Sequence, residues 1–386
     1  IARIAGYTYW MNAARRLTVG AVDGGEKPSV LSAINKAWCT EGMRVVVNDA
    51  MDVQAGAGIC RGPRNTLATG YATLPIGITV EGANILTRSM IVFGQGAIRG
   101  HPHARYEIEA VAAGDIAKFD KHFFKHVGFV FTNAIRSLLL GLSGGALASG
   151  GGSGLVARTT KQITRYSSAF AFTSDAAMGT LGGALKFREK LSGRLADALA
   201  WMYVASCAAK RFHDEGASER DRPFANWAIE HSLYEVQEAL RGVFDNFPNR
   251  PVAWLVRALV FPFGARRRPP SDALGAEVTK TLLTNQEARR HLTADIFIPR
   301  ADELGLGELE GALGKVAAAG AIHKKVRKAV KDGQLPAEPK KTLIRRAVEA
   351  GVIGDEELKR LEEADKARRA VIEVDSFSQE DYKTLR

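Results

Sequence analysis

The sequence predicts a nearly all-α protein, a helical bundle followed by a longer helical extension. Apolar residues recur at three- and four-residue spacing through most of its 386 residues, and no stretch of useful length alternates with the two-residue period of a strand. Glycine and proline clusters fall where those periodic runs stop.

From Ile1 to about Val22, the residues Ile4, Tyr7, Met11, Ala14 and Leu17 mark one helix face, and Asp23-Gly-Gly ends it. A second helix starts after Pro28-Ser29, runs through Ile34, Trp38, Met43, Val46 and Met51 to Asp52, and is broken by Ala55-Gly56-Ala57-Gly58. The two form an antiparallel hairpin. A loop carrying Pro63, Gly70 and Pro75 leads to Val80-Glu81-Gly82-Ala83-Asn84-Ile85-Leu86-Thr87-Arg88, which opens a third helix reaching about Arg99, where His101-Pro-His stops it. A helical run from Ala104 leads into a glycine-rich linker, Gly144 to Gly154. Beyond it, Leu155 to Arg211 and Pro223 to Phe244 are helical by period, and Leu195, Leu199, Met202, Tyr203 and Ala209 form a stripe expected to pack inward. Five prolines from Pro248 to Pro270 then punctuate a loop with the basic run Arg266-Arg267-Arg268, and the last hundred residues return to helix.

Composition bounds function without naming it. With 46% hydrophobic and 25% charged residues, disorder and collagen-like structure are excluded. The surplus of 53 Lys+Arg over 42 Asp+Glu, formally +11, suits an anionic partner of any kind. Cys39, Cys60 and Cys207 have neither the count nor the spacing of a disulfide frame or zinc site, so a reducing, cytoplasmic setting is expected. The opening Ile1-Ala-Arg-Ile-Ala-Gly-Tyr reads as the middle of a helix, and the chain is expected to be the C-terminal part of a longer polypeptide. Ser137 to Ala157 is uncharged, but its second half is too rich in glycine for a membrane span. No transmembrane helix is predicted.

Three features invite chemistry and support little. His122 and His126 stand at i and i+4, yet no catalytic Glu lies between them and no third ligand is evident, so no metal is expected. Gly150 to Gly154 lacks the Gly-Lys-Ser/Thr ending of a phosphate-binding glycine loop. His323 to Lys331 is a basic amphipathic stretch, either a solvated face or a contact with an anionic surface. Nucleic acid is not expected, because no recognition motif accompanies the charge.

Glu81 is the informative carboxylate. It follows the apolar run Leu74-Pro-Ile-Gly-Ile and stands at a helix start, where a residue-level reading makes it a complement to the helix dipole. Its context reads otherwise. A helix hairpin, an Ala-Gly-Ala-Gly break, an apolar approach and Glu-Gly at a helix start resemble, in that order, the C-terminal helical domain of acyl-coenzyme A dehydrogenases. The stretch Glu81 to Arg99, then Thr164-Arg-Tyr-Ser-Ser-Ala-Phe and Gly182 to Asp197, are similar to the large bacterial FadE-type fatty-acid dehydrogenases. The resemblance covers essentially the whole chain. It implies that residues 1–100 are the last helices of the dehydrogenase core and 101–386 a helical extension.

That resemblance carries expectations about chemistry. It implies FAD-dependent α,β-dehydrogenation of a long-chain acyl-CoA in fatty-acid β-oxidation, with Glu81 as the base and Gly82 and Arg88 beside the substrate. FAD would be approached by Asp52, Gly56, Ala57 and Gly58. Ala83 stands where the family has a Thr or Ser hydroxyl to the flavin, and Ala55 replaces a glycine of the family's turn. The implied partners are an electron-transfer flavoprotein or similar acceptor, a second subunit, and a peripheral contact with the inner membrane. For the last, Arg266 to Arg268 beside Trp254-Leu-Val and Phe261-Pro-Phe, and the stretch Lys324 to Lys331, are the candidates. The alternative is a non-catalytic helical module that binds a partner or docks on a membrane.

Overall fold

A computed structural model describes residues 1–384, and among them there are helices and turns but no strand. In chain order the helices are α1 (Ala2–Asp23), α2 (Ser29–Gln54), the single turn α3 (Gly56–Ile59), α4 (Ala68–Thr79), α5 (Asn84–Leu86), α6 (Gly96–Gly100), α7 (Ala104–Ala113) and α8 (Ile116–Leu142). After the glycine turns come α9 (Gly154–Leu181), α10 (Glu189–Asp214), α11 (Arg222–Asn246), α12 (Arg250–Val260), α13 (Asp272–Thr284) and α14 (Gln286–Leu292). The remainder is α15 (Leu306–Lys331), α16 (Lys340–Glu349), α17 (Asp355–Ile372) and α18 (Gln379–Thr384). Thr87–Gln95, between α5 and α6, is a π-helix.

Several elements depart from the periodic reading. The segment expected as a loop from Pro248 to Pro270 contains helix α12, and the run from Leu155 to Arg211 is interrupted by a 3₁₀ turn at Gly182–Phe187. The expected loop around Pro75 contains helix α4, which carries the proline inside it and buries Leu74. The helix expected from Val80 begins only at Asn84, since Glu81 and Gly82 both have positive φ. The run from Ala104 is broken at Gly114, which takes φ 68°; Asp115 then caps α8 by accepting the Lys118 N–H at 2.9 Å.

The chain divides into two compact units, the first made of Ile1–Val46 and Leu74–Leu282, the second of Val47–Thr73 and the residues from Leu283 on. In the first, α10 and α11 pack along each other and bury Leu195, Phe212, Phe224, Leu240 and Phe244, while α1 lies against both. Leu195, Met202 and Ala209 of the predicted stripe are buried. The seam of α1 depends on Gly6, where a Cβ would lie 1.9 Å from the Trp227 ring. Trp227 in turn stacks on His231 at 5.1 Å, and the His231 Nε2 lies 3.2 Å from the Tyr7 hydroxyl.

In the second unit α15 and α17 form the core, with Ile322, Val326 and Ala329 buried alongside Ile353, Leu361 and Ala364. The apolar side of the basic stretch from His323 to Lys331 is therefore core, and Lys325 pairs with Glu357 at 2.8 Å. No single helix among the described residues is long and apolar enough to cross a membrane; only the broken pair Ala68–Thr79 with Asn84–Gly100 has the length and composition together.

Burial, and next the charge of Arg3, push His231 down to about 4, so the folded protein keeps this ring neutral. An unfolded histidine titrates near 6.5 and so takes up a proton that the folded one refuses as pH falls from about 6.5 toward 4. Stability should be level above that window and decline through it, by up to roughly 3 kcal/mol. Urea melts across this range will show the slope, and His231→Phe should flatten it. An unchanged slope in the variant would assign the acid sensitivity to other groups.

Candidate functional site

Glu81 stands on a strained turn. Its φ is 52° and that of Gly82 is 85°, so two consecutive residues are left-handed just before the helix capped at Ala83. At Gly82 the conformation itself calls for glycine, since the nearest atom to an added Cβ is the Thr87 Oγ1 at an ordinary 3.4 Å. The side chain of Glu81 is exposed, and among the described residues nothing bonds its carboxylate. The backbone N–H groups of Glu81 and Gly82 also donate to no acceptor within the described residues. A carboxylate serving the helix dipole would sit at the cap or in the first turn. Glu81 sits outside both.

The turn is held from behind by α2. Lys36 donates through Nζ to the Gly82 carbonyl at 2.8 Å and to the Asn84 Oδ1 at 2.7 Å. Buried Asn84 donates to Thr40 Oγ1 at 2.8 Å and to Glu41 Oε1 at 3.1 Å, and Thr87 Oγ1 donates to the same Gly82 carbonyl at 3.3 Å. Sequence reasoning missed Lys36, Thr40 and Asn84. The available signal was Lys36 and Thr40 at i and i+4, polar positions on one face of α2.

Arg88, expected beside the substrate, has its Nε and Nη2 engaged by the two oxygens of Asp197 on α10. That pairing holds its guanidinium above the ordinary range. Gly193 makes room for it, since a Cβ there would lie 2.9 Å from Arg88 Nη1. Ala83 is partly buried and brings no side-chain hydrogen-bonding group to the turn.

The glycine turn expected to approach a cofactor belongs to the second unit. Ala55 takes φ 50° after α2, and Asn65 then clamps the turn by donating through Nδ2 to the carbonyls of Ala57, Gly58 and Cys60 at 3.0, 2.9 and 2.9 Å. A Cβ on Gly56 would meet nothing within 4 Å, whereas one on Gly58 would lie 3.3 Å from the Met51 carbonyl. Gly56 therefore presents bare backbone to open space, while Gly58 is needed by the packing of the turn itself. Asp52 is exposed on the last turn of α2.

Histidines gather elsewhere in the first unit, though not through the i, i+4 pairing of His122 with His126. His126 stands between Glu107, 2.9 Å from its Nδ1, and the buried Asp175, 3.4 Å from its Nε2; His122 instead stacks on Tyr106. His101 Nε2 lies 3.1 Å from the same Asp175 oxygen, so three groups stand at ligand-like separations. However, His101 Nδ1 accepts the N–H groups of His103 and Ala104 at 3.1 and 2.8 Å, so in the neutral ring the proton must sit on Nε2. That nitrogen has no lone pair for an ion. The cluster caps and braces α7.

Residues 98–377 match the family described as acyl-CoA dehydrogenase, C-terminal, bacterial type. Among solved structures, the chain is similar to an acyl-CoA dehydrogenase complexed with FAD from Bacillus anthracis, with 14% identity and a TM-score of 0.51 over 76% of this chain. The match takes in 48% of that enzyme, so the chain spans about half its length. At this identity the likeness bears on the fold, and it agrees with the all-helical class.

The left-handed Glu81 has a thermodynamic signature. Glu81→Gly removes the Cβ that makes φ 52° unfavourable, and should stabilise the chain by up to about 1 kcal/mol after allowing for the greater freedom of glycine when unfolded. Urea denaturation of the two proteins measures this. A clear loss of stability would mean that the Glu81 side chain holds the fold together rather than straining it.

Proposed function

Because the chain belongs to the bacterial-type acyl-CoA dehydrogenase family, we propose that it supplies the catalytic base for converting an acyl-CoA to the trans-2-enoyl-CoA. The observation that carries this reading is the Glu81 turn: an uncommitted carboxylate and uncommitted backbone N–H groups, fixed in a strained conformation by Lys36, Asn84 and Thr87. Strain maintained by surrounding hydrogen bonds is a mark of functional positions.

In this reading the Glu81 carboxylate takes the α-proton, and the electron pair of that C–H bond moves toward the thioester carbonyl and then into the new α,β double bond. The Glu81 N–H is available to donate to the thioester oxygen as negative charge develops there. Lys36 holds the Gly82 carbonyl, which keeps the peptide groups of the turn oriented. Bound FAD would accept the β-hydrogen as a hydride at its N5. Asp52 and the turn from Gly56 to Gly58, in the second unit, would by the family resemblance approach the FAD of a neighbouring subunit, and the open space over Gly56 fits the close approach of a ligand to backbone. Ala83 has no hydroxyl to offer a flavin. Arg88 is a positioning residue here, anchoring the helix that follows Glu81 to Asp197. A long acyl chain, β-oxidation and an electron-transfer flavoprotein acceptor complete the proposal by family resemblance.

Peripheral contact with an anionic membrane is the second part of the reading. Trp254, Leu255 and Phe263 are exposed near Arg266 and Arg268, and α8 adds a longer face. Along α8 the exposed residues Phe124, Phe131, Ile135, Leu139 and Leu142 recur at helical spacing, with Lys121 and Lys125 beside the first of them.

Two measurements test these readings. In the flavin-loaded enzyme, Glu81→Gln should still bind acyl-CoA yet bleach its flavin at least about 100-fold more slowly, the usual scale of losing a general base; near-normal bleaching would remove Glu81 from the role. For the membrane, Phe124→Ser with Phe131→Ser should lower the fraction that sediments with phosphatidylglycerol vesicles at low salt. Equal recovery of the unaltered protein with anionic and neutral vesicles would leave α8 as ordinary surface.

A further inference from the structure

A groove of about 550 Å³ in the first unit is bounded by the start of α9, by Asn226 to Leu233 on α11, by the turn Gly144–Ala146 and by Arg267 in the loop after α12. We propose that this groove binds the phosphate of a soluble, nucleotide-sized phosphate ester, a site separate from the Glu81 turn.

Charge is the first ground. On α9, Arg158, Lys161, Gln162 and Arg165 stand at i, i+3, i+4 and i+7 and so share one face. Arg158, Lys161 and Arg267 line the groove against a single carboxylate, Glu230. Among the described residues Arg158, Lys161 and Arg165 make no hydrogen bond or ion pair, and the side-chain amide of Asn226 is likewise uncommitted. Burial, and then the neighbouring charge of Arg267, hold the Arg165 guanidinium below its ordinary range. Three cations facing one carboxylate leave a surplus of positive charge that an anion relieves.

Preorganisation is the second. The buried Gln237 grips the backbone of Arg267 at two points, accepting its N–H at 2.8 Å and donating to its carbonyl at 3.0 Å. The guanidinium is then steered by Gln162, whose Oε1 accepts from Nη2 at 3.1 Å, and Gln162 is itself fixed by donating to the Gly144 carbonyl at 2.7 Å. Of the three arginines in the basic loop, only Arg267 is drawn into the groove, while Arg266 and Arg268 stay exposed. A planar guanidinium held in place suits phosphate oxygens, and a recess lined by one sign of charge concentrates the field.

Size and lining indicate the rest of the ligand. The groove is far larger than a phosphate ion, and Leu155, Ile229 and Leu233 give it an apolar wall on which a base or similar flat group could lie. It is not a glycine-loop cradle, because the N–H groups of Gly145 and Ala146 already donate to Leu140 and Ser143. The side chains do the binding. Glu230, whose carboxyl burial pushes up against the opposing pull of Arg267 and Arg158, is the one group that repels an anion.

Calorimetric titration of the chain with ADP at low salt tests the site, with circular dichroism confirming that each variant is folded. Saturable binding is expected, weakened roughly tenfold by Arg158→Ala or Lys161→Ala as charge-assisted bonds are lost. Glu230→Gln should tighten it, and Arg268→Ala, outside the groove, should leave it unchanged. No saturation by millimolar ADP, or equal losses in the Arg158 and Arg268 variants, would overturn the proposal. So would an Arg158→Ala variant that binds ADP normally but no longer sediments with phosphatidic acid vesicles, since the occupant would then be a lipid headgroup. None of these readouts depends on flavin or on Glu81, so the site stands or falls apart from the dehydrogenase reading.

Discussion

The ion pair between Arg88 and Asp197 is the constraint on which the arrangement around Glu81 depends. It ties the π-helix that follows the Glu81 turn to α10, the central helix of the first unit. Both side chains are partly exposed, so the pair adds only modestly to stability. Its consequence is geometric. A bidentate guanidinium–carboxylate contact fixes orientation as well as distance, and Gly193 leaves space beside it, where a Cβ would lie 2.9 Å from Arg88 Nη1. Glu235 adds negative charge beside Asp197, visible in its own carboxyl, which burial first and then the charges of Asp197 and Glu238 push upward. Removing Arg88 would leave like charges facing one another along α10 and α11.

Behind that pair, the first unit is assembled by close approach. Gly6 admits Trp227, and Gly141 admits Pro262, where a Cβ would lie 2.8 Å from the proline ring. Each contact exchanges a side chain for proximity between helices, and each makes the position intolerant of anything larger. The π-helix belongs to the same economy. It buries Ser89, Val92 and Phe93, with Phe93 meeting Phe170 edge-on.

Much of this fold was legible in the sequence, because helix faces are set by local spacing. The ends of α1 and α2 are announced by Asp23-Gly-Gly and Ala55-Gly, and the stripe through Leu195 and Met202 is apolar for the reason it appears to be. Pro75 misled because proline normally stops a helix, whereas here it lies inside α4, whose Leu74 is buried only once the chain has folded. The candidate site was legible in its motif and opaque in its geometry. Glu81 announced itself, but its left-handed backbone arises from Lys36 and Asn84 acting across 46 and 48 residues of sequence. His101 was read as a helix stop, and the approach of its Nε2 to 3.1 Å from Asp175, 74 residues away by number, exists only after folding.

A contrast between two arginines separates what holds the structure together from what faces a ligand. Arg88 is raised by a carboxylate that the chain itself provides, so its charge is satisfied internally and its work is anchoring. Arg165 is lowered by burial with no carboxylate to compensate, beside an Arg267 whose backbone and guanidinium are both pinned. The same distinction applies among carboxylates. Asp197 is paired, whereas Glu81 is exposed, unpaired and maintained in a conformation that its own Cβ disfavours. Groups whose hydrogen-bonding demands are met inside the fold contribute stability. Groups that the fold positions at some cost, and leaves unmet, are the ones proposed to gain partners from outside: Glu81 with its N–H and the cations of the α9 groove.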